Sequence, residues 1–390
     1  MESDLRTVVR SLRPLSERIP STHPVSLAPM VDKTDRDWRW VMRRITRNTL
    51  LYTEMITGPA IVRGDRRKLL GFDPSEKPLV LQIGWDEPGE LAEACRIAED
   101  FGYDEINLNC GCPSDKVQQH DFGACLMARP GHVARLVESM AAATALPITV
   151  KTRIGIRSSR LGLSLETYDD LRRFVDTVAG SGCRKFTVHS RIAVLEGLSP
   201  RENRDVPPLR PEDVYRLKAE RPDLFVEING GYRSLEAVDA ALERVDAVML
   251  GRIALDDPFL LASADRRWFG SDQAPPTRRA ILEQALPYLV RRAAEGASRG
   301  LLIQPLMNLF AGRRGAKAWK RAMTAVPSVG PELFSASLEA AVAAVSDEVL
   351  DEAPVCVPQG EGLVLNGSRH EDSPSGNELL LQPRHRQSGG

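Results

Sequence analysis

The chain has 390 residues, of which 42% are hydrophobic and 27% charged, a composition typical of a soluble globular protein with a sizeable core. No run of about 18 uncharged apolar residues is present and the N-terminus is polar, so we expect neither a membrane span nor a secretory signal. The six cysteines form no CxxC pair and the six histidines are scattered. This pattern favours reduced thiols in a cytoplasmic protein without a metal site.

From residue 25 onward, short β-branched apolar runs alternate with longer helical patterns. The predicted strands span residues 25–28, 50–53, 79–83, 105–108, 148–151, 185–188, 225–228 and 247–250. The predicted helices between them span residues 88–101, 130–143, 168–181, 211–220 and 234–244. Strands and helices that alternate in this way form βαβ units. The pattern therefore predicts an α/β fold, a (β/α)8 TIM barrel over residues 23–270 that follows an N-terminal extension of residues 1–22. A doubly wound open sheet is the alternative, but no GxGxxG turn follows the first strand.

The chain after the barrel changes character. Residues 271–276 resemble a linker, and helical patterns follow over residues 278–296, 301–325 and 332–346. We predict a helical-bundle domain over residues 276–346. From residue 347 to residue 390 the chain is rich in Pro, Gly, Ser and Glu with little periodicity, which predicts a disordered tail.

The charge distribution singles out the helical domain. Between residues 276 and 323 there are ten basic and two acidic side chains, a net charge of +8 in a chain whose total is −1. A basic module beside an acidic body indicates a polyanionic partner. A solvated helix face in an Arg-rich protein is the alternative, and the sequence alone does not separate the two.

Polar and glycine residues cluster where the predicted strands end, and a TIM barrel carries its active site at those ends. The glycines after the last two strands can bring backbone N–H groups close to a phosphate. A lysine at the end of the fifth strand would place a cation at the barrel mouth, where it favours the negative charge of a reduced flavin. The candidate residues at these strand ends are Pro29, Met30, Gln82, Lys151, His189, Asn229, Gly230, Gly231, Gly251 and Arg252.

Two thiols follow the fourth strand. Cys112 lies between Gly111 and Pro113, in a loop that the proline stiffens. A thiol that stays protonated near neutral pH can act as a general acid. Cys110 lies two residues earlier and could face either the mouth or the barrel wall, so spacing alone leaves the two cysteines tied.

These segments together resemble the tRNA-dihydrouridine synthases, particularly the bacterial A-type group. The resemblance covers about residues 24–323. It rests on APMVD at 28–32, YTEM at 52–55, NLNCGCPSD at 107–115, VKTRIG at 150–155, TVHSR at 187–191 and GLSPRENR at 197–204. The family usually has a small apolar residue where this chain has Cys110.

The resemblance implies an enzyme that reduces uridines 20 and 20a in the tRNA D-loop, with FMN as cofactor and NADPH as reductant. It assigns the general acid to Cys112, a contact with the target nucleotide to Asn109, and the FMN contacts to the candidates above. Because RNA binding needs a basic surface, it favours the polyanion interpretation of the helical domain. The predicted tRNA contacts are Arg201, Arg204, Arg313, Arg314, Lys317, Lys320 and Arg321. We expect a monomer.

Two alternatives remain at this stage. A flavin barrel that acts on a free pyrimidine, like the dihydroorotate dehydrogenases, would share the barrel but does not predict the basic helical domain. A non-catalytic RNA-binding barrel would not require Lys151, His189 and Cys112.

Overall fold

The computed structural model describes residues 13–18, 20–160, 162–326 and 331–354. Its main sheet has eight parallel strands, which are β1 Val25–Leu27, β2 Leu51–Thr57, β3 Leu79–Gly84, β4 Glu105–Asn109, β5 Ile148–Arg153, β8 Lys185–His189, β10 Phe225–Asn229 and β11 Ala247–Leu250. Their order in the sheet is β1-β11-β10-β8-β5-β4-β3-β2. Backbone hydrogen bonds from Leu27 N to Leu50 O (2.8 Å) and from Leu50 N to Val25 O (3.2 Å) join β1 to the start of β2. The predicted eight-stranded barrel is therefore confirmed.

Helices surround the barrel and three short strands extend it. The helices are α1 Arg36–Ile45, α2 Gly58–Arg63, α3 Arg66–Leu70, α4 Pro88–Glu99, α5 Asp115–Gln118, α6 Pro130–Ala143, α7 Tyr168–Ala179, α8 Pro211–Glu220, α9 Leu235–Leu242, α10 Ile253–Asp256 and α11 Ala264–Phe269. A small sheet of β6 (Ile156–Ser158), β7 (Leu163–Leu165) and β9 (Ala193–Val194) lies beyond the ends of β5 and β8. None of the described helices is long and apolar enough to cross a membrane.

Five further helices follow the barrel: α12 Arg278–Ala294, α13 Arg299–Ile303, α14 Ala316–Ala325, α15 Pro331–Ala343 and α16 Asp347–Leu350. The prediction of one helix over residues 301–325 is wrong. The chain there forms α13, a single 3-10 turn at Gln304–Leu306 and then α14. Pro305 lacks the N–H that a continuous helix needs, and Gly312 and Gly315 adopt φ values of 69° and 88°.

The predicted start of the disordered tail is also wrong. Residues 347–354 are ordered against α12, since Arg279 pairs with Asp347 (2.5 Å) and Asp351 (2.6 Å), and Arg278 pairs with Glu352 (2.8 Å). The sequence pattern missed this segment because ion pairs between distant residues leave no periodicity. The remainder of the predicted tail, residues 355–390, lies outside the described residues.

Part of the predicted N-terminal extension belongs to the floor of the barrel. Arg18 donates to the carbonyl oxygens of Thr144 (2.6 Å) and Ala141 (2.8 Å), which caps the C-terminus of α6. Lys185 Nζ, at the start of β8, donates to Ser21 O (2.8 Å). The first twelve residues of the extension lie outside the described part of the chain.

The helical domain packs directly on α1. Asp37, almost fully buried, accepts hydrogen bonds from Tyr288 Oη (2.6 Å) and Arg292 Nε (2.8 Å) of α12. The rings of Trp40 and Tyr288 stack with centroids 3.8 Å apart. This mixed polar and aromatic contact fixes α12 against the barrel.

Candidate active site

The alternation of side chains along β4 decides which groups enter the barrel. Glu105, Asn107 and Asn109 lie on one face of the strand and hydrogen-bond to residues of the neighbouring strands inside the barrel. Ile106 and Leu108 point the opposite way, into the hydrophobic layer beneath the helices. Cys110 has the same parity as these two residues and no exposed surface. Burial raises the pKa of its thiol well above the ordinary range.

Cys112 lies two residues further, beyond the strand, and is half-buried. Asn109 Oδ1 accepts hydrogen bonds from the backbone N–H groups of Gly111 (3.1 Å) and Cys112 (3.0 Å), which fixes the loop. Arg153 Nε donates to Gly111 O (2.9 Å) from the other side. The Cys112 thiol donates to Ser114 Oγ at 3.5 Å. The loop therefore holds one thiol at the barrel mouth and leaves it open to a ligand.

Lys151 places a cation in the mouth. Its Nζ donates to Asn229 Oδ1 (3.1 Å), and Asn229 Nδ2 donates in turn to Met249 O (2.8 Å). Burial, and secondarily the charge of Arg153, lowers the pKa of Lys151 to about 8. No carboxylate of the described residues lies within ion-pairing distance of Nζ, so this cation can pair with an anionic ligand.

His189 ends β8 beside the same cations. Burial and the neighbouring Arg153, Lys151 and Arg191 lower the pKa of His189 well below its ordinary value, so the imidazole is neutral. Its Nδ1 accepts a hydrogen bond from Arg191 N (3.2 Å). Nδ1 is therefore the unprotonated nitrogen, and Nε2 carries the proton that a ligand can accept.

The glycine turn after β10 passes very close to its neighbours. Gly230 and Gly231 have φ values of 114° and 89°. A Cβ atom at Gly231 would lie 2.6 Å from Leu209 Cδ1, and one at Gly230 would lie 3.2 Å from the His189 ring. Gly251 has no positive φ and a single neighbour, Ala28 Cβ at 3.8 Å. The conformation of the first two positions therefore requires glycine, and the requirement at Gly251 is weaker.

The rim on this side carries arginines. Arg252 pairs with Asp205 (2.5 Å) and donates to Arg204 O (3.2 Å). Burial, followed by the charge of Arg252, lowers the pKa of Arg204. Arg201 is exposed on the same loop. Strand ends and rim thus surround the mouth with positive charge.

The remaining predicted ligands lie at the strand ends named in the sequence analysis. Pro29 and Met30 follow β1 and are half-buried, and Met30 packs against the small buried cluster that contains Tyr52. Gln82 is buried inside β3, where its Nε2 donates to Asn107 Oδ1 (2.8 Å) and its Oε1 accepts from Asn109 Nδ2 (2.8 Å).

Arg153 and Asn107 are contact residues that the sequence analysis did not select. Arg153 bonds Gly111 O and also donates from Nη1 to Ile192 O (2.9 Å) and Asn203 O (3.0 Å), so it ties together two loops of the mouth. The signal for Asn107 is present in the sequence, since polar residues at 105, 107 and 109 alternate with apolar ones. That alternation predicts a polar barrel interior along β4.

The structure divides the basic residues of the helical domain into two groups. In the first, Arg278, Arg279, Arg291, Arg292 and Arg313 form ion pairs with Glu352, Asp347, Asp351, Asp37 or Glu295, and Arg299 donates to the carbonyl oxygens of Thr324 and Val326. The second group is exposed and forms no ion pair with any described residue; it consists of Arg314, Lys317, Lys320 and Arg321. Arg313, predicted with this second group, belongs to the first through its contact with Glu352 at 2.9 Å. We call the second group the α14 basic cluster.

Contacts with two barrel loops place the segment before α14 at the mouth end of the barrel. Asn308 Nδ2 donates to Leu255 O (2.6 Å), after β11, and Gln304 Nε2 donates to Asp32 O (3.5 Å), after β1. Both acceptors follow the C-terminal ends of their strands, so the helical domain borders the mouth.

The chain matches known proteins over most of its length. A family model described as dihydrouridine synthase (Dus) matches residues 26–346. The tRNA-dihydrouridine(20/20a) synthase of Synechocystis sp. is 50% identical over 323 residues, which cover 82% of this chain and 95% of that protein. Those of Pseudomonas aeruginosa and Escherichia coli are 46% and 44% identical and cover 77% and 78% of this chain, and 88% and 91% of their own lengths. The chain therefore belongs to the dihydrouridine synthase family, and is an oxidoreductase.

Proposed function

We propose that the protein reduces uridines 20 and 20a of tRNA to 5,6-dihydrouridine, with FMN as cofactor, NADPH as reductant and Cys112 as the general acid. The observation that carries the proposal is the half-buried Cys112 at a cation-lined barrel mouth, where Asn109 accepts a hydrogen bond from its backbone N–H. Family membership supports uridine reduction over the two alternatives, the free-pyrimidine enzyme and the non-catalytic RNA-binding barrel.

The residues at the mouth fit FMN. The cradle of Gly230 and Gly231, with Asn229, Gly251 and Arg252 beside it, offers a phosphate site that a side chain would fill. Lys151 Nζ, His189 Nε2, Gln82, Pro29 and Met30 are the groups that would contact the flavin ring. When bound, FMN supplies the hydride for one carbon of the uracil double bond.

Cys112 would deliver a proton to the neighbouring carbon. This transfer would leave a negative charge on the sulfur. That charge would raise the pKa of Lys151, Arg153 and Arg204, so these three cations interact electrostatically with it. Their charges would stabilise the thiolate that remains after the transfer. Asn109 donates one side-chain N–H to Gln82, and its Oδ1 accepts two backbone hydrogen bonds from the Cys112 loop. Its second N–H is therefore available to the target nucleotide.

The tRNA would lie across the mouth and the helical domain. Stacking hides the uracil double bond in folded RNA, so the base has to be extruded into the barrel. The α14 basic cluster has no acidic partners within the described residues, so its charges are available to phosphates, and Arg201 and Arg204 border the mouth.

The experiment is a defined reaction with purified protein. A yellow protein that releases FMN on denaturation should form dihydrouridine in an unmodified tRNA transcript when NADPH is added, as read by mass spectrometry of nuclease fragments. A transcript with cytidine at positions 20 and 20a is the matched control and should gain none. A flavin-free protein, or product at other positions only, would refute the proposal.

A further inference from the structure

A continuous row of hydrogen bonds connects the Cys112 loop to the interior of the barrel. The upper half runs from the N–H of Cys112 to Asn109 Oδ1 (3.0 Å), from Asn109 Nδ2 to Gln82 Oε1 (2.8 Å), and from Gln82 Nε2 to Asn107 Oδ1 (2.8 Å). Three amides from two adjacent strands thus form one line of donors and acceptors beneath the thiol.

The lower half ends at a buried ion pair. Asn107 Nδ2 donates to Thr149 Oγ1 (2.9 Å), and Thr149 Oγ1 donates to Glu105 Oε1 (2.8 Å). The other carboxylate oxygen of Glu105 accepts from Lys185 Nζ (3.2 Å) and from Ser21 N (3.0 Å). Asn107, Thr149, Glu105 and Lys185 are all at most 1% exposed, so these bonds are shielded from bulk solvent.

The two ends of this row dictate its direction. A backbone N–H can only donate and an ionised carboxylate can only accept, so every link between them has to donate toward Glu105. Each amide therefore has one allowed orientation, although an isolated Asn or Gln could turn by 180°. Hydrogen bonds aligned in this way also polarise and strengthen one another.

We propose that Thr149 and Asn107 are positioning residues for Cys112, because they transmit the orientation imposed by Glu105 to Gln82 and Asn109. This inference rests on the proposed function of Cys112. Without the Thr149 hydroxyl, Asn107 can turn, and it then presents an N–H to the N–H of Gln82. To avoid two opposed N–H groups, Gln82 has to turn, and it then presents an N–H to the N–H of Asn109. Asn109 can turn in response only by releasing the backbone of the Cys112 loop.

The barrel interior contains a matched control. Thr187 of β8 is as buried as Thr149 and also donates to a buried carboxylate, that of Glu227, which accepts a second bond from Ser26 Oγ (2.6 Å). No hydrogen bond in the described chain joins this second group to Asn109. Thr149→Val and Thr187→Val therefore remove the same atom from a buried contact between a hydroxyl and a carboxylate, and only the first interrupts the row.

The test compares Thr149→Val, Thr149→Ser and Thr187→Val as holoenzymes. We expect Thr149→Val to slow single-turnover uridine reduction by the NADPH-reduced enzyme about tenfold or more, since displacements on the order of 1 Å cost up to 100-fold. Reduction of the flavin by NADPH should change less than uridine reduction in Thr149→Val, since Gln82 is only one of the groups that would contact the flavin. It should stay within about twofold in Thr149→Ser and Thr187→Val, a ratio of less than 0.5 kcal/mol. Thr149→Ser restores the hydroxyl and should recover the rate, and Thr187→Val should keep it.

A second readout needs no activity. In FMN-free protein, the rate at which iodoacetamide alkylates Cys112, followed by peptide mass spectrometry, should rise in Thr149→Val and stay at the wild-type value in the other two variants. If Thr149→Val does not fold, Asn107→Leu breaks the row at nearly constant volume, since it removes the acceptor of Gln82 Nε2. Equal rates in the two valine variants, or a serine variant as slow as the valine one, would overturn the inference. A wild-type enzyme without uridine reduction would instead refute the proposed function, and the alkylation comparison would still test the row.

Discussion

Separate alanine substitutions at Cys110 and Cys112 should produce opposite phenotypes. Cys110 has no exposed surface, so Cys110→Ala removes one methyl-sized group from a packed layer, at a cost of about 1 kcal/mol. In a domain of this size that cost lowers the melting temperature by about 2 °C. Cys112 is half-exposed on a loop, and Cys112→Ala should change the free energy of unfolding by less than about 0.5 kcal/mol.

The effects on chemistry should be reversed. Loss of a general acid slows a proton-transfer step by about 10²- to 10⁴-fold, so Cys112→Ala should lose nearly all dihydrouridine formation. The flavin of Cys112→Ala should still be reduced by NADPH at the wild-type rate, since no proton from Cys112 takes part in that half-reaction. Cys110→Ala should keep both half-reactions within about threefold of the wild type, a difference of about 0.7 kcal/mol in the barrier.

Two measurements separate these outcomes. Thermal unfolding followed by circular dichroism gives the stability change, and single-turnover mixing of reduced enzyme with unmodified tRNA transcript gives the rate of product formation. Product formed by Cys112→Ala within threefold of the wild-type rate would refute the acid assignment. A stable but inactive Cys110→Ala would show that the side-chain parity of β4 does not decide which thiol is used.

Three further predictions concern other parts of the molecule. Burial lowers the pKa of Lys151 to about 8, so the side chain loses its positive charge as the pH rises through that value. The affinity of the apoprotein for FMN, measured by fluorescence titration, should therefore fall between about pH 7 and 9. Lys151→Met should abolish that fall. The double substitution Lys317→Ala and Lys320→Ala should weaken tRNA binding and lower the slope of log affinity against log salt concentration by about one per lysine; an unchanged slope would return these residues to a solvated helix face. Asp37→Asn removes a buried partner of Arg292 and should cost about 1–3 kcal/mol in urea unfolding, whereas a cost below about 0.5 kcal/mol would contradict a stabilising role at the domain contact.

The barrel strands could be predicted from the sequence because hydrophobic periodicity is a local property. Seven of the eight predicted strands begin at the predicted residue, and the differences lie mostly at their C-terminal ends. β5 continues to Arg153 and β4 to Asn109 because both residues extend the strand into the polar mouth. Strand propensity falls at such residues, although the hydrogen-bond ladder continues, so six of the eight strands are predicted too short at their C-terminal ends.

Non-local charge pairing could not be predicted. The +8 segment suggested one uniform basic surface, but its members differ in what the fold brings next to them. Arg278, Arg279 and Arg313 pair with acidic residues between 347 and 352, a stretch whose composition predicted disorder. A sequence pattern assigns charge to a segment, and only the fold shows which charges are already neutralised.

The position of Cys112 shows where the side-chain alternation of β4 stops being informative. The strand register places Glu105, Asn107 and Asn109 inside the barrel, and Cys110 lies on the opposite side, beneath the helices. This arrangement follows from a two-residue period that is visible in the sequence. Cys112, however, lies beyond the strand, where that period no longer applies. Its position depends instead on the two N–H groups bound by Asn109 and on the contact of Arg153 with Gly111. The two-residue period therefore excludes Cys110 only after the structure has shown where the strand ends, and the placement of Cys112 requires the hydrogen bonds of the folded loop.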